Sequence, residues 1–146
     1  MSSEYLQARL DEIRARLEAR AAGVWQIVEQ SLELVVFVAA NDMEPSVSLG
    51  FAEATRSVEL SSKPLGIVGA AMFGEPSVSI AAELPDDVGS GYWLRQFVAV
   101  RSVAVPIFHE GDVIGVISVA TTTLDQPVDE IETILTAESA GWFTNP

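Results

Sequence analysis

Residues Val98–Thr121 read VAVRSVAVPIFHEGDVIGVISVAT. Two strands are predicted, over 101–108 and 113–121, joined by a tight turn at His109-Glu110-Gly111-Asp112, where Gly111 can supply a positive φ. Nearly every strand residue is apolar, so both faces of the hairpin must be covered and the sheet must lie between two layers. Symmetric pairing about Glu110-Gly111 sets 105 opposite 116 and 103 opposite 118. One face then carries Val103, Val105, Ile107, Ile114, Val116 and Ser118, a bulky surface suited to helices. The other carries Ser102, Ala104, Pro106, Phe108, Val113, Gly115, Ile117 and Val119. There the small Ala104 and Gly115 leave room for a cavity. Short helices packing closer over those residues is the competing expectation.

Outward from the hairpin, residues 3–31 are rich in good helix formers, and Leu6, Leu10, Ile13, Leu17, Val24 and Ile27 repeat at heptad spacing, with Arg20 in the missing slot. A long helix is expected, bent near Ala22-Gly23. Residues 32–40 read as a buried strand and 46–54 as a second, antiparallel one, with a turn at Met43-Glu44-Pro45. A short extended piece follows, ending at Lys63-Pro64. Residues 65–73 predict a short helix rich in small residues, 77–80 a strand, 83–91 a loop and 92–97 a helical turn. Pro127 with Asp129 and Glu130 marks the start of a last helix over 127–141. Ile131 and Leu135 on that helix join the Leu6–Ile27 seam as the expected interface of a homodimer.

Composition narrows the chemistry. The chain has 146 residues, 49% of them apolar, which is enough for one domain with its own core. No apolar run reaches the roughly 18 residues that span a bilayer. The opening MSSEYLQARLDE has no basic region followed by an apolar one, so no signal peptide is expected and a cytoplasmic location is the default. The net charge is −13. Residues 1–31 are nearly balanced, so the acid surplus falls on the remainder, which disfavours nucleic acid and anionic membranes as partners. The chain has no cysteine, which removes disulfides, thiolate nucleophiles and cysteine zinc sites. Its single histidine, His109, falls in the hairpin turn, a poor place for a catalytic triad. Asp86-Asp87 near Glu83 reads as a solvated pair rather than a cation site.

Three segments carry a family resemblance. GIVGAAMFGEPSVSI at Gly66–Ile80, RSVAVPIFHEGDVIGVISVAT at Arg101–Thr121 and PVDEIETILTAESA at Pro127–Ala140 resemble, in that order, segments of GAF domains. The resemblance implies an α/β (α+β) fold. Its antiparallel sheet would have the N- and C-terminal helices on one face and short helices and loops over a pocket on the other. Residues 1–31 would be the dimerising helix, 32–123 the body, and 124–146 the closing helix of the same domain. The Asn-Lys-Phe-Asp-Glu constellation of cyclic-nucleotide-binding members has no counterpart here, since the only lysine is Lys63. Covalent bilin attachment and GAF-fold methionine sulfoxide reduction need cysteines that the chain lacks. No haem or zinc site is evident, and no cofactor is assigned.

The expectation is therefore a noncatalytic sensor that binds a small molecule or anion and signals through a homodimer to an output partner. A purely structural dimerisation module is the alternative. The expected ligand site comprises Phe73, Tyr92, Trp93, Arg95, Phe97, Ser102, Ala104 and Gly115, with Arg95 as a charge-assisted anchor among aromatic residues.

Overall fold

A computed structural model describes residues 2–60, 65–87 and 89–144. Chain order is α1 (Ser3–Arg16), β1 (Ala21–Val28), β2 (Ser31–Ala39), α2 (Pro45–Ala54), β3 (Ser57–Glu59), α3 (Gly66–Phe73), β4 (Ser77–Ile80), a 3-10 turn at Ala81–Glu83, α4 (Gly89–Phe97), β5 (Arg101–His109), β6 (Asp112–Thr121) and α5 (Val128–Ser139). The strands form one six-stranded sheet in the order β3-β2-β1-β6-β5-β4, and every neighbouring pair is antiparallel. Glu110 (φ 52°) and Gly111 (φ 87°) both take positive φ in the β5–β6 turn. That is the backbone of a type I′ hairpin, whose twist matches the strands it joins.

α1 and α5 cover one face of the sheet, as expected. Leu6, Leu10, Ile13 and Leu17 from the first helical segment and Ile131 and Leu135 from α5 share a core with Val24, Val36, Val38, Val103, Val105, Ile107, Ile117 and Val119. α2, α3 and α4 cover the other face, over Ala21, Trp25, Leu32, Ala104, Val116 and Ala120. No described helix is long and apolar enough to cross a membrane.

The long helix expected over 3–31 is divided. α1 stops at Arg16, and Glu18 takes a left-handed conformation (φ 52°). The Glu18 N–H donates to the Ala15 carbonyl at 3.1 Å and the Ala19 N–H to the Arg14 carbonyl at 2.9 Å. That pair of bonds is a Schellman end, which glycine usually makes. β1 follows, buried on both faces from Ala21 to Trp25. A doubly buried strand is apolar throughout, so its residues can fall on a helical period by coincidence. The boundary set at residue 31 thus lies beyond a strand, and residues 1–31 hold a helix and a central strand rather than one dimerising helix.

The expected seam is also placed differently. Leu6, Leu10, Ile13, Leu17, Val24, Ile131 and Leu135 are all at most 5% exposed within a single chain, and Ile27 is partly buried on the opposite face among the Trp25 cluster. These side chains serve the protomer's own core and give no argument for a helix-mediated homodimer. Arg20, in the missing slot, ties layers together instead. Its Nε donates to the Phe97 carbonyl at 2.8 Å and its Nη1 to Asp42 at 2.6 Å. That bond and the guanidinium charge hold the Asp42 carboxyl below its ordinary range.

Two further corrections concern the cavity side. Residues 46–54 form helix rather than strand, with Pro45 in the first turn. Proline's fixed φ suits that position, and the i, i+4 pair Val47 and Phe51 packs inward together. The symmetric register of the hairpin is also wrong by one residue. His109 pairs with Asp112 and Phe108 with Val113, but Ile107 pairs with Gly115 and Val105 with Ile117, because a bulge lies between Ile107 and Phe108. One extra residue moves every later β6 side chain to the opposite face. Ile117 and Val119 therefore face the helices, and Val116, Ser118 and Ala120 face the other way. Residues 57–59 form the short extended piece, whose expected end at Lys63-Pro64 lies outside the described residues.

Candidate functional site

Between the sheet and α2, α3 and α4 lies a cavity of about 300 Å³. That is the small end of the roughly 300–1,000 Å³ range of ligand pockets. Its floor is built from small residues: Ala21 and Gly23 of β1, Ser102 of β5, and Ser118 and Ala120 of β6. The one-residue bulge brings Ser118 and Ala120 here.

The wall is aromatic. Phe51 of α2 is central, with ring centroids 5.0 Å from Phe37, 5.0 Å from Phe97, 5.4 Å from Trp93 and 6.2 Å from Trp25. Such tilted and edge-on separations are favourable for ring pairs. Gly23 explains how Trp25 lies against the floor: a Cβ there would sit 2.5 Å from the indole. The indole N–H donates to the Thr55 carbonyl at 3.0 Å, which anchors the end of α2 to β1.

The cavity's polar groups are hydroxyls and amides. Thr55, Ser90, Ser102 and Ser118 line it, with the first turn of α3 at Gly66, Ile67 and Val68 and the start of α4 at Gly89 and Ser90. Gly66 (φ 55°) approaches α4 closely; a Cβ on it would lie 3.4 Å from the Ser90 Oγ. Val68 and Gly69 donate their N–H groups to the Leu65 carbonyl. The N–H groups of Gly66 and Ile67 have no helical acceptor, as at any helix start. No charged side chain lines the cavity among the described residues.

Of the expected ligand residues, the fold brings Trp93, Phe97 and Ser102 to this cavity. Ala104 lies beneath α3, packed with Val68, Ala70 and Ala71. Gly115 faces the α1/α5 layer, where a Cβ would lie 3.1 Å from Phe143 and 2.6 Å from the Trp25 carbonyl oxygen. Tyr92 stacks edge-on against Trp93 from outside the lining. Phe73 is 62% exposed at the far end of α3.

Arg95 is the principal correction. On α4, Ser90, Trp93, Leu94 and Phe97 make the cavity face, and a side chain at 95 projects away from it. Its guanidinium donates to the carbonyls of Ala81 (2.7 Å) and Gly91 (3.0 Å), with longer contacts to Pro85 and Leu84. Arg95 holds the loop before α4. Gly91 permits that approach, since a Cβ there would collide with the Pro85 carbonyl oxygen.

The aromatic and seryl side chains of the cavity missed from sequence are Trp25, Phe37, Phe51, Ser90 and Ser118, along with most of the small and aliphatic residues of the lining. Phe51 alone carried a readable signal, because Pro45 opens a helix that sets Val47 and Phe51 one turn apart.

One buried charge lies outside the cavity. Arg101, at the start of β5, is 3% exposed and has no carboxylate partner among the described residues. Its Nε makes one long bond to the Thr121 Oγ1 at 3.3 Å, and one terminal nitrogen has no acceptor. Burial pulls its pKa below the ordinary arginine range. The folded chain thus binds this proton less tightly than the unfolded one, and the charge disfavours the fold at every pH below that range. Arg101→Met should therefore raise the urea midpoint, with a gain of about 1 kcal/mol or more. A lower midpoint would show that the guanidinium has an acceptor in solution.

The match to known proteins agrees with this architecture. The GAF domain profile covers residues 3–139. The chain belongs to the GAF family. GAF is a sensor and regulatory fold, and the sheet with its two helical layers has the expected GAF arrangement. Among curated proteins none matches the chain. Similar solved structures include the GAF domain of an Acinetobacter phosphoenolpyruvate-protein phosphotransferase (TM-score 0.63, 14% identity, 95% of this chain and 79% of the other). Another is a methyl-accepting chemotaxis protein, residues 122 to 287 (TM-score 0.64, 18% identity, 94% and 85%). A third is the type II free methionine-R-sulfoxide reductase of Thermoplasma acidophilum (TM-score 0.66, 14% identity, 92% and 84%). At such identities the likeness concerns the fold alone. The reductase nonetheless corrects one expectation. This GAF fold carries enzymes as well as sensors, so the exclusion of catalysis does not stand.

Proposed function

We propose that this GAF domain is a regulatory module that binds a small, planar, aromatic molecule with a hydrogen-bond-accepting end. The observation that carries the reading is the ring-walled cavity of about 300 Å³. Trp25, Phe37, Phe51, Trp93 and Phe97 offer faces and edges to a flat apolar body. The hydroxyls of Ser90, Ser102 and Ser118, with the first amides of α3, offer donors to a carbonyl or carboxylate. The anionic anchor expected from Arg95 is not part of the proposal. Occupancy would order α2, α3 and α4 against the sheet, and a ligand that prefers this closed arrangement shifts the population toward it.

A thermal-shift panel of aromatic acids, nucleobases and inorganic anions tests this. At a hundredfold excess over Kd, a binder should add about 2.7 kcal/mol, or roughly 8–12 °C in Tm. Ser118→Leu, which fills the floor, should abolish that shift, and Arg95→Ala should leave it intact. A panel in which only inorganic anions stabilise the protein, or none of its members does, would overturn the proposal. So would a shift that survives Ser118→Leu.

A further inference from the structure

β2 carries an open sheet edge over half its length. β3 pairs with it only at Ser31–Glu33, and the Leu34 N–H donates to the Arg56 carbonyl at 2.9 Å. The register with β1 then slips, leaving Val35 as the extra residue, and among the described residues Val36–Ala39 pair with β1 alone. The Ala40 N–H donates to the Arg20 carbonyl, on the β1 side, at 2.9 Å. Backbone direction alternates along a strand, so the N–H and C=O groups of Ala39 and Phe37 point out of the sheet. Such an edge is a template for another strand unless charge, proline or a covering segment blunts it. Val36-Phe37-Val38-Ala39 has neither charge nor proline.

Two grooves flank this edge, and both reach Phe37 and Ala39. The groove on the α2 side is lined by Ser48, Leu49 and Ala52, with Leu49 71% exposed. Its two charged residues, Glu53 and Arg56, pair with each other at 3.1 Å. The groove on the α1 side is lined by Val38 with Glu4, Gln7, Ala8 and Asp11, and by no Lys or Arg among the described residues. Asp11 holds Arg14 at 2.8 Å, and Glu4 has no ion pair among the described residues. One groove is therefore apolar and neutral, and the other is acidic. A second copy joined edge to edge about a twofold axis would set the two α1 grooves side by side, bringing Glu4 and Asp11 toward their counterparts. That repulsion, between chains of net charge −13, disfavours self-pairing.

We infer that the Phe37–Ala39 edge docks an extended segment of a partner protein in which basic and apolar residues alternate. The segment would bond the outward amides and carbonyls of Phe37 and Ala39 and extend the sheet by one strand. Successive side chains of a strand point to opposite faces. The apolar ones would enter the α2 groove over Leu49 and Ala52, and the Lys or Arg side chains would enter the α1 groove toward Glu4 and Asp11. Backbone pairing supplies the attachment, and the two unlike grooves select the sequence. The contacts are with the Phe37 backbone, so the inference does not depend on a ligand in the cavity that its ring lines.

The test uses the full chain and three short peptides: alternating lysine and valine, alternating glutamate and valine, and the lysine–valine sequence with every backbone amide methylated. Fluorescence anisotropy should show binding of the first, weakening as salt rises, and none of the other two. In amide hydrogen exchange, Phe37 and Ala39 should exchange faster than Val38 in the free domain and become protected when the lysine–valine peptide is added. Ala39→Pro removes an outward donor at an edge position, where proline is tolerated, and should weaken binding about tenfold. Glu4→Lys, at an exposed position of α1, should weaken it about fivefold. Absence of binding, equal binding of the glutamate or the methylated peptide, or Phe37 and Ala39 exchange unchanged at saturation would overturn the inference. Sedimentation showing wild-type self-association that Ala39→Pro loses would overturn it too, assigning the edge to a second copy.

Discussion

Leu10→Asp should leave the chain unfolded at room temperature, not folded and monomeric. Leu10 is 0% exposed and lies between α1 and the sheet, in a core shared with Val36, Val38, Val103 and Ile131. Truncating such a leucine costs about 2–5 kcal/mol, and a carboxylate in the same place must lose its hydration or take up a proton. Domain stability is only about 5–15 kcal/mol, so one such change removes most of it. Circular dichroism and urea titration of the purified variant check the outcome. A folded monomer with the wild-type midpoint would show that Leu10 faces another chain rather than its own sheet.

Trp25→Ala should cost about 3–5 kcal/mol, the range for removing a buried large aromatic side chain. The indole is 1% exposed, sits over Gly23, meets Phe51 edge-on, and is the donor that holds the Thr55 carbonyl. Its loss widens the cavity, frees the end of α2 and leaves a partly buried carbonyl without its bond. Trp25→Phe keeps much of the ring contact and loses the N–H. It should cost about 1–2 kcal/mol, near the value of one hydrogen bond with some packing. Urea unfolding of both variants separates the two contributions. A loss under about 1 kcal/mol for Trp25→Ala would show that the indole does not pack on the floor.

Where a segment's local pattern had a single physical solution, it was legible. The β5–β6 hairpin follows from two apolar runs and a turn ending in Gly111. The start of α5 follows from Pro127, Asp129 and Glu130. The small residues of Gly66–Ala71 announced a helix packed close to the sheet, and α3 buries Val68, Gly69, Ala70 and Ala71. The cavity itself was anticipated, but most of its lining was not. Trp25 was hidden inside an apparent heptad seam. Phe51 was read on a strand, although it stands one helical turn after Val47.

From its own residues, then, the chain determined its class and its limits. Paired apolar strands require two covering layers, an acid surplus disfavours polyanions, and the absence of cysteine removes thiol chemistry. Only the tertiary structure decided which side chains meet. Central strand β1 is buried on both faces, which erases the alternation that would distinguish it from a helix. The bulge at Ile107/Phe108 is a property of the ladder between two strands, and it alone turns Ser118 toward the cavity and Gly115 away from it. Arg95 looked like an anchor because aromatic residues surround it in sequence. The helical turn of α4 separates it from them in space and gives it to the carbonyls of Ala81 and Gly91 instead.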